Sequence, residues 1–386
     1  MKNVLLVFGG VSYEHDISIV TAFQIFRKTK INDIKLNLFY VSRDGRFYLC
    51  DEKKIDILDF SKDKFSSKLK GIKEVAFVSG ENNKIFVKTR FGLKEYMSVD
   101  VAIFACHGGN GENGKLVSFF ENFNISCSAG KSEALSICMD KFLFKSFAKG
   151  IRVPVVSGFK ISKIDKVINQ DMISRNLARL GFPVVIKINS GGSSIGLFVS
   201  KNEVEFNENL KEAFEFNDDV IIEKFIEGAR EFNVAILGDS EKYEISEIDE
   251  PIKNNEVLTF ADKYLSKNSD KLNSKSCKVS MANCVRRSPD DLSENICLKI
   301  KNIAEKLFLK LGLWGVVRID FLFDEKQSKI YVCEVNAIPG SLAYYFFKKN
   351  FIVTNDLVEK LIRIAVRNSN KNNIKSEFMV DLLNKK

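Results

Sequence analysis

The sequence is short of several residue types that common functional classes require. Its 386 residues include two histidines, five prolines and one tryptophan. The scarcity of histidine argues against a histidine-rich metal site and against most Ser-His-Asp hydrolases. The eight cysteines form no C-x-x-C pair, so we expect reduced, mostly buried thiols and neither a disulfide framework nor a zinc site.

Long apolar runs are also missing. The longest, such as residues 101–106, fall far short of the ~18 residues that a membrane-spanning helix needs. The apolar residues 4–8 are too few for the core of a signal peptide and run directly into Gly9-Gly10. We therefore expect a cytoplasmic protein with no membrane partner.

What the chain does have is a globular composition with a basic surplus. Hydrophobic residues make up 45% and charged residues 28%, which is too apolar for a solvated coil. The net charge of +9 permits a nucleic-acid or anionic-substrate partner. The two signs of charge are interleaved, however, and there is no basic patch with interspersed aromatic residues. We favour lysine-rich solvated faces and expect no nucleic-acid partner.

Alternating strand and helix patterns predict an α/β protein, and its length fits three domains of the usual ~150 residues or fewer. The first, residues 1–129, begins with a buried strand at 3–8 and an amphipathic stretch at 16–28. The pattern of this domain predicts a largely parallel sheet, with a charged, turn-rich region between residues 50 and 98.

Two further units follow the first. Residues 130–230 begin with a helix predicted over 132–149 and contain a glycine-rich loop. Residues 231–386 contain a polar stretch at 249–278, which is too long for an ordinary connection and indicates a functional loop. After it come a helix and two hairpin-like strands, predicted over 315–323 and 329–335.

The glycine-rich loop runs from Gly191 to Gly196 and follows a strand that ends near Lys187. Glycines let the backbone approach an anion closely, and successive N–H groups can hold phosphate oxygens. Lys187 supplies a point charge for the same phosphates. No Gly-Lys-Ser/Thr follows, so this is not a Walker A loop. The competing interpretation is a flexible hairpin.

Oxygen-bearing side chains are clustered in the two hairpin-like strands. Alternation places Arg318 and Asp320 on one face of the first strand, and Glu334 and Asn336 on one face of the second. If the strands pair, Asp320, Glu334 and Asn336 form an all-oxygen cluster that suits Mg²⁺ together with nucleotide phosphates. The alternative is that these are the exposed faces of an ordinary strand pair.

Three weaker signals lie elsewhere. An apolar strand at 220–226, followed by Glu231, can offer backbone groups to an adenine edge and a carboxylate to ribose hydroxyls. Glycine-dense turns at 106–114 and 9–16 follow predicted strands, at the end where α/β sheets place ligands. Neither turn has the G-x-G-x-x-G spacing with an acidic partner, which disfavours a Rossmann oxidoreductase. Plain surface turns are the alternative for both.

Taken together, these stretches resemble the ATP-grasp superfamily and, within it, the D-alanine–D-alanine ligases. Eight motifs occur in the family's order and spacing between residue 3 and about residue 350. They are residues 8–18, residues 107–114, Met139-Asp140-Lys141, Lys187 with residues 192–196, Glu223-Lys224 with Glu231, residues 261–264, Arg318-Ile319-Asp320, and Glu334-Val335-Asn336 with residues 339–342. The resemblance implies a three-domain ATP-grasp fold with an N-terminal Rossmann-like domain.

The resemblance also implies a reaction. Ligases of this family join two D-alanines for peptidoglycan, using ATP to form a D-alanyl phosphate that the second amino group attacks. It further implies a homodimer with D-alanine and ATP as ligands and two Mg²⁺ ions, which Mn²⁺ can replace. Metal ligation falls to Asp320, Glu334 and Asn336.

By the same resemblance, nucleotide binding falls to one set of residues: Lys141, Lys187, Ser193, Ser194, Glu223, Phe225, Ile226, Glu231 and Lys263. Glu14 and His107 are expected to bind the first D-alanine, and Glu14 is expected to hydrogen-bond toward Ser193 and Tyr264. Arg318 and the N–H of Gly340 are expected to stabilise the tetrahedral oxyanion. Ser341 and Tyr345 are expected to make further contacts with the substrate.

Two features bear on the second substrate. Tyr345 and Phe346 stand where many family members have Ser-Leu against the carboxylate of the second substrate. A tyrosine at this position would have to bind that carboxylate through its backbone or its phenol. Tyr264 favours dipeptide formation over the ester product of a D-lactate ligase. The open alternatives are a related ligase with D-lactate or D-serine as second substrate, and a non-catalytic nucleotide-binding module.

Overall fold

Three principal sheets organise the chain. The structure is a computed structural model that describes residues 1–61, 64–193, 195–252, 285–350 and 354–371. The largest sheet has eight strands in the order β6-β5-β4-β3-β2-β1-β7-β8. Its strands are β1 (Lys2–Gly9), β2 (Ile34–Val41), β3 (Phe47–Cys50), β4 (Ile72–Ala76), β5 (Lys84–Thr89), β6 (Gly92–Ser98), β7 (Val101–Phe104) and β8 (Ser126–Cys127).

This N-terminal sheet is parallel in one half only. β1 pairs in parallel with β2 and β7, and β7 pairs in parallel with β8, whereas β3 to β6 are antiparallel. The expectation of a largely parallel sheet was therefore wrong for the other half, and the stretch between residues 50 and 98, predicted to be turn-rich, contains the strands β4 to β6. Nearly every residue of β6 is exposed, so this strand has no apolar face from which alternation could predict it.

The parallel half is covered by helices, as parallel strands require. Residues 4–8 of β1 are fully buried. Helix α1 (His15–Lys28) packs on β1, and the helix over Thr354–Lys371 packs on β7 and β8. Two short helices, α2 (Gly109–Glu112) and α3 (Lys115–Glu121), follow β7. The turns after β1 and β7 therefore emerge side by side at one edge of the sheet.

The helix predicted over residues 132–149 is two helices, α4 (Ser132–Met139) and α5 (Lys141–Gly150). Asp140 is extended and separates them, and its carboxylate caps α5 by accepting from Leu143 N–H at 2.8 Å. Asn189 Nδ2 donates to the same carboxylate at 2.7 Å. The break therefore fixes the start of α5 against the end of a neighbouring strand.

The central sheet is antiparallel, in the order β11-β10-β12-β9. It consists of β9 (Gly158–Ser162), β10 (Val184–Ile188), β11 (Leu197–Ser200) and β12 (Asp219–Lys224). Helices α6 (Lys163–Ile168), α7 (Gln170–Leu180) and α8 (Glu203–Phe216) accompany it. This unit has a small hydrophobic core of its own, separate from the large core that the N-terminal and C-terminal sheets share.

The C-terminal sheet has the order β14-β13-β17-β18. Its strands are β13 (Arg230–Gly238), β14 (Tyr243–Ile245), β17 (Gly315–Asp324) and β18 (Lys329–Asn336), and a separate pair joins β15 (Glu250–Pro251) to β16 (Arg286–Arg287). Helices α9 (Glu294–Leu311) and α10 (Thr354–Lys371) complete the unit, with 3-10 turns over Gly340–Asn350. Within the described ranges, no helix has both the length and the apolarity needed to cross a membrane.

Candidate active site

A small polar cavity lies where the three units meet. Its volume is about 40 Å³, and an adjoining cavity of about 640 Å³ shares part of its wall. The turns after β1 and β7, the glycine-rich loop and the ends of β17 and β18 all face it. The lining residues include Glu14, His107, Glu112, Met139, Lys141, Gly191, Gly192, Ser193, Arg318, Glu334, Asn336 and Gly340.

Glu14 stands at the start of α1, between two glycine turns. The Ser12 hydroxyl accepts from Glu14 N–H at 3.1 Å. A Cβ atom on Gly108 or Gly192 would lie 2.7 or 2.6 Å from Glu14 Oε2, so the carboxylate fits only because both positions are glycine. The Ser193 hydroxyl donates to Glu14 Oε1 across the boundary between the N-terminal and central units. Glu14 and Ser193 are thus in direct contact.

His107 is buried, and both of its ring nitrogens have protein partners. Nδ1 lies 2.9 Å from the Ile338 carbonyl, and Nε2 lies 2.9 Å from the Thr21 hydroxyl. Because a carbonyl only accepts, Nδ1 carries the proton and Nε2 accepts from Thr21. Burial, with a smaller contribution from Arg318, lowers the pKa of His107 to about 4. The imidazole is therefore neutral and ties the N-terminal unit to the loop after β18.

Two lysines of the central unit contact one carboxylate near the glycine-rich loop, and a third, Lys141, lies nearby. Lys141 Nζ donates to the Gly191 carbonyl. Lys187 Nζ lies 2.9 Å from Glu223 Oε2, and Lys145 Nζ lies 2.7 Å from Glu223 Oε1. Burial opposes the charge of Glu223, but Lys145 and then Lys187 outweigh it and lower its pKa to about 2. Three ammonium groups and one carboxylate leave this cluster positive.

The carboxylates of the C-terminal sheet form the opposite wall. In the antiparallel pair of β17 and β18, Asp320 lies opposite Glu334, and Arg318 lies opposite Asn336. Arg318 Nε and Nη2 each donate to Asp320 at 2.7 Å. Asn336 Nδ2 donates to Asp320 at 3.1 Å, and Asn233 Nδ2 donates at 2.9 Å. The strands therefore pair as alternation predicts, and the oxygen-rich side chains lie together.

This wall offers the ligands that a hard cation prefers. Burial raises the pKa of Asp320, Arg318 lowers it, and the charge of Glu334 raises it again. Because the nitrogen of the Asn336 amide is used on Asp320, its oxygen is the atom that a cation would take. In the described part of the chain, no group of three or more His, Cys, Asp or Glu side chains could hold a metal. A cation here would depend on the amide and on ligand oxygens.

The loop after β18 contains unusual backbone just after Gly340. Ser341, Leu342 and Ala343 have φ values of 54°, 48° and 47°, in the left-handed region that L residues seldom adopt in succession. Ser341 N–H donates to the Thr21 hydroxyl at 3.2 Å, and its own hydroxyl donates to Gln24 at 3.0 Å. Ser341 therefore anchors the loop to α1.

Tyr345 lies farther along this loop, against an arginine from β16. The Arg286 guanidinium lies 4.7 Å from the Tyr345 ring centroid, and its Nη2 lies 3.4 Å from the phenol oxygen. Arg286 also donates to Asp249. The phenol is thus held by a stacked cation that is itself fixed by a carboxylate.

Comparisons with known proteins match almost the whole chain to one family. The family model for the D-ala D-ala ligase N-terminus matches residues 3–129, and that for the C-terminus matches residues 147–363. The chain belongs to the D-alanine–D-alanine ligase family. A D-alanine–D-alanine ligase of Sulfurovum is 35% identical over 348 residues, covering 89% of each chain.

Two other members of the D-alanine–D-alanine ligase family are similar to this chain over nearly its whole length. The ligase of Thermosipho melanesiensis is 31% identical over 366 residues, covering 95% of this chain and 94% of its own. The crystal structure of the Helicobacter pylori ligase matches with a TM-score of 0.70 and 27% identity, covering 94% of this chain and 98% of its own. The three-domain ATP-grasp fold expected from the sequence is therefore confirmed.

The structure brings most of the residues predicted from the ligase resemblance to one place. Those that line the small cavity are Glu14, His107, Lys141, Ser193, Arg318, Glu334, Asn336 and Gly340. Lys187, Glu223 and Asp320 lie in the two charge clusters beside it. Phe225 and Ile226 follow the end of β12, and Glu231 lies near the start of β13. Ser194, Lys263 and Tyr264 lie outside the described residues.

Sequence reasoning missed several residues of the ligase site: Thr21, Glu112, Lys145, Asn233 and Arg286. Lys145 had a usable signal, because it is four residues after Lys141 and falls on the same face of a helix. Glu112 is inside a recognised glycine motif. Burial, followed by the charge of Glu14, raises the pKa of Glu112 to about 8. The partners of Thr21 and Asn233 come from other elements, so their roles depend on tertiary contacts.

Proposed function

We propose that this protein is an ATP-dependent ligase that joins two D-alanines into D-alanyl-D-alanine for peptidoglycan precursors, releasing ADP and phosphate. The observation that carries the proposal is the family membership across almost the whole chain, with an intact set of charged residues around one cavity. A non-catalytic nucleotide-binding module would have no need to retain Arg318 bidentate to Asp320 beside Glu334.

The proposed domain organisation follows the three sheets. Residues 1–129 form the N-terminal substrate domain, residues 130–230 the central ATP-grasp subdomain, and residues 231–386 the C-terminal ATP-grasp subdomain. ATP lies between the second and the third. The lysine cluster on the central sheet and the carboxylates on the C-terminal sheet support this placement, because a nucleotide between them meets both.

The first step transfers the γ-phosphoryl group of ATP to a carboxylate oxygen of the first D-alanine, and ADP leaves. Lys141, Lys187, Ser193, Ser194 and Lys263 hold the phosphates, and Glu223, Phe225, Ile226 and Glu231 lie against adenine and ribose. Glu14 receives the ammonium group of the first D-alanine beside His107. The Ser193–Glu14 hydrogen bond supports this arrangement, because it brings the glycine-rich loop next to the residue that would bind the first D-alanine.

In the second step the amino group of the other D-alanine, after losing its proton, attacks the carbonyl carbon of the D-alanyl phosphate. Arg318 and the Gly340 N–H stabilise the tetrahedral oxyanion, and its collapse expels phosphate and leaves the peptide. Ser341 and Tyr345 shape the second-substrate side, and Tyr264 closes over Glu14 and Ser193. No covalent enzyme intermediate is needed, so the chemistry requires no nucleophile–base pair.

Asp320, Glu334 and Asn336 would hold two Mg²⁺ ions, with Mn²⁺ able to replace them. Two carboxylates and an amide oxygen are suitable ligands, and the raised pKa of Asp320 is consistent with a place for added positive charge. Bound magnesium neutralises charge on the phosphates. The expected assembly is a homodimer, and sedimentation of the purified protein tests it.

Phosphate release from ATP, measured with and without D-alanine and with mass identification of the product, tests the proposed function. We expect phosphate release that depends on D-alanine and a product with the mass of D-alanyl-D-alanine. Offering D-alanine together with D-lactate and D-serine identifies the second substrate. Predominant formation of an ester or of the mixed dipeptide would replace the dipeptide assignment with a related ligase.

A further inference from the structure

Lys145 is a buried lysine to which the proposed reaction assigns no role. It lies on α5, four residues after Lys141, and its side chain is 5% exposed. Its Nζ lies 2.7 Å from Glu223 Oε1. Burying an ammonium group is costly unless an opposite charge compensates it. The Glu223 carboxylate is that compensation.

Glu223 divides its two oxygens between two lysines. Oε1 faces Lys145, and Oε2 lies 2.9 Å from Lys187. β10 and β12 are antiparallel neighbours in which Lys187 lies opposite Ile221, so Lys187 and Glu223 are diagonal neighbours on one face of the sheet. The side chain of Glu223 is 2% exposed. Solvent therefore does little to screen the carboxylate from either ammonium group.

The charge balance of this trio decides what Lys187 can do. With Glu223 alone beside it, Lys187 would form a neutral pair and would attract a phosphate weakly. With Lys145 on the other oxygen, the trio has a net charge of plus one, since two ammonium groups face one carboxylate. Lys145 is also the leading charged group that lowers the pKa of Glu223. Glu223 therefore stays ionised as the fixed centre of the trio.

We propose that Lys145 is a positioning residue for nucleotide binding, which neutralises Glu223 so that the charge of Lys187 is available to phosphate. The inference rests on the proposed function, because it requires a nucleotide at Lys187. Lys145 itself need not contact the nucleotide. A purely structural ion pair is the competing explanation, and it predicts a change in stability without a change in phosphate recognition.

Direct binding of adenosine, ADP and ATP to the purified protein, measured by calorimetry without D-alanine, separates these explanations. For Lys145→Met we expect ATP and ADP to bind roughly tenfold or more weakly, since a buried charge partner is lost, and adenosine to bind within about twofold of wild type. In turnover, KM for ATP should rise in proportion while kcat stays within about threefold. Lys145→Arg should recover most of the affinity.

Lys160→Met is the matched control. Lys160 lies on β9 of the same sheet and forms an ion pair with Asp219 at 3.0 Å, but about a third of each side chain is exposed. Removing it deletes a lysine from the same sheet without touching the buried trio. We expect its nucleotide affinities to equal those of wild type. An equal loss of ATP affinity in this variant would mean that overall charge, and not the trio, is responsible.

Comparing Glu223→Gln with the Lys145→Met/Glu223→Gln double variant provides the decisive test, and this comparison does not require the Lys145→Met single variant to fold well. Once Glu223 is uncharged, loss of Lys145 should change the ATP affinity by less than about threefold. If loss of Lys145 in the Glu223→Gln background weakened ATP binding as much as it does with Glu223 present, Lys145 would act on ATP directly and the inference would be overturned. Unchanged ATP and ADP binding in a folded Lys145→Met protein, or an equal loss for adenosine, would also overturn it. Failure of the wild type to bind ATP would instead count against the proposed function.

Discussion

Two four-stranded antiparallel sheets face the candidate site with opposite charge. On the central sheet and its helix α5, Lys145 and Lys187 contact the single carboxylate of Glu223, and Lys141 lies nearby. On the C-terminal sheet, two carboxylates accompany the single guanidinium of Arg318. In each cluster one buried charge of the minority sign fixes the geometry, and the majority sign determines the ligand. The first cluster suits phosphate, and the second suits a metal cation.

The largest effect is expected from changing the anionic cluster. Glu334→Gln keeps the shape of the side chain and removes the charge opposite Asp320. We expect kcat to fall about 10³-fold with the circular dichroism spectrum and melting temperature close to wild type. Raising the Mg²⁺ concentration should recover only part of the rate.

Glu227→Gln is the control for this change, because Glu227 is exposed and forms an ion pair with an equally exposed lysine, Lys326, at 3.6 Å. Its rate should equal that of wild type. A Glu334→Gln enzyme with normal turnover and normal magnesium dependence would refute the metal assignment.

The next largest effect is expected from the cationic cluster. Lys187→Ala removes the ammonium group on Oε2 of Glu223 and leaves that carboxylate near the phosphates. We expect KM for ATP to rise on the order of a hundredfold, with a smaller effect on KM for D-alanine. Lys201→Ala, an exposed lysine just after β11, is the control and should have no effect. An ATP dependence like that of wild type would remove Lys187 from the phosphate site.

A neutral group, His107, lines the same cavity, and its role can be tested by pH. Its pKa is about 4 in the folded protein and about 6.5 when unfolded, so the unfolded chain binds the proton first. Stability from His107 is therefore present above pH 6.5 and is lost as pH falls toward 4. Between pH 7 and 5 the wild type should lose on the order of 2 kcal/mol more unfolding free energy than His107→Gln.

The comparison with the variant is needed because Glu112 acts in the opposite direction. Its pKa is raised to about 8 in the folded protein, so it favours folding as pH falls in the same window. That contribution is common to both proteins and cancels in the difference. Urea unfolding of both proteins at pH 7, 6 and 5 measures the difference between their unfolding free energies. Parallel pH profiles for the two proteins would mean that His107 is not held neutral.

The smallest effect is expected on the second-substrate side of the site. Tyr345→Phe removes a hydroxyl that lies 3.4 Å from Arg286 Nη2. We expect KM for the second D-alanine to rise about fivefold, the worth of one hydrogen bond, with KM for ATP unchanged. Tyr344→Phe is the matched control, because its hydroxyl contacts Lys28 instead. Equal behaviour of the two variants would exclude a specific role for the Tyr345 phenol.

The sequence predicted the anionic cluster better than the cationic one, for a physical reason. Strand alternation has a fixed period, so Arg318 and Asp320 had to share a face, and pairing with β18 brought Glu334 opposite. The lysine cluster combines a helix with two strands that are distant in sequence, so Lys145 could not be joined to Glu223 from spacing alone. Tertiary packing decides such contacts.

Helix boundaries and polar strands show the same limit. The stretch 132–149 is apolar enough to predict one helix, yet Asp140 ends one and caps the next because Asn189 fixes its carboxylate. The strands β4 to β6 were missed because buried and exposed residues do not alternate regularly along them. Among the described cysteines, Cys50, Cys106, Cys127 and Cys138 are buried, whereas Cys297 and Cys333 are half-buried.

The most direct test of the account follows an oxygen atom through the reaction. D-Alanine labelled with ¹⁸O in its carboxylate is incubated with ATP, Mg²⁺ and the enzyme, and the released phosphate is analysed by mass. A D-alanyl phosphate intermediate transfers one carboxylate oxygen to each phosphate, so we predict one ¹⁸O per phosphate and one D-alanyl-D-alanine per ATP consumed. Unlabelled phosphate, or phosphate released without dipeptide, would contradict the proposed ligase reaction.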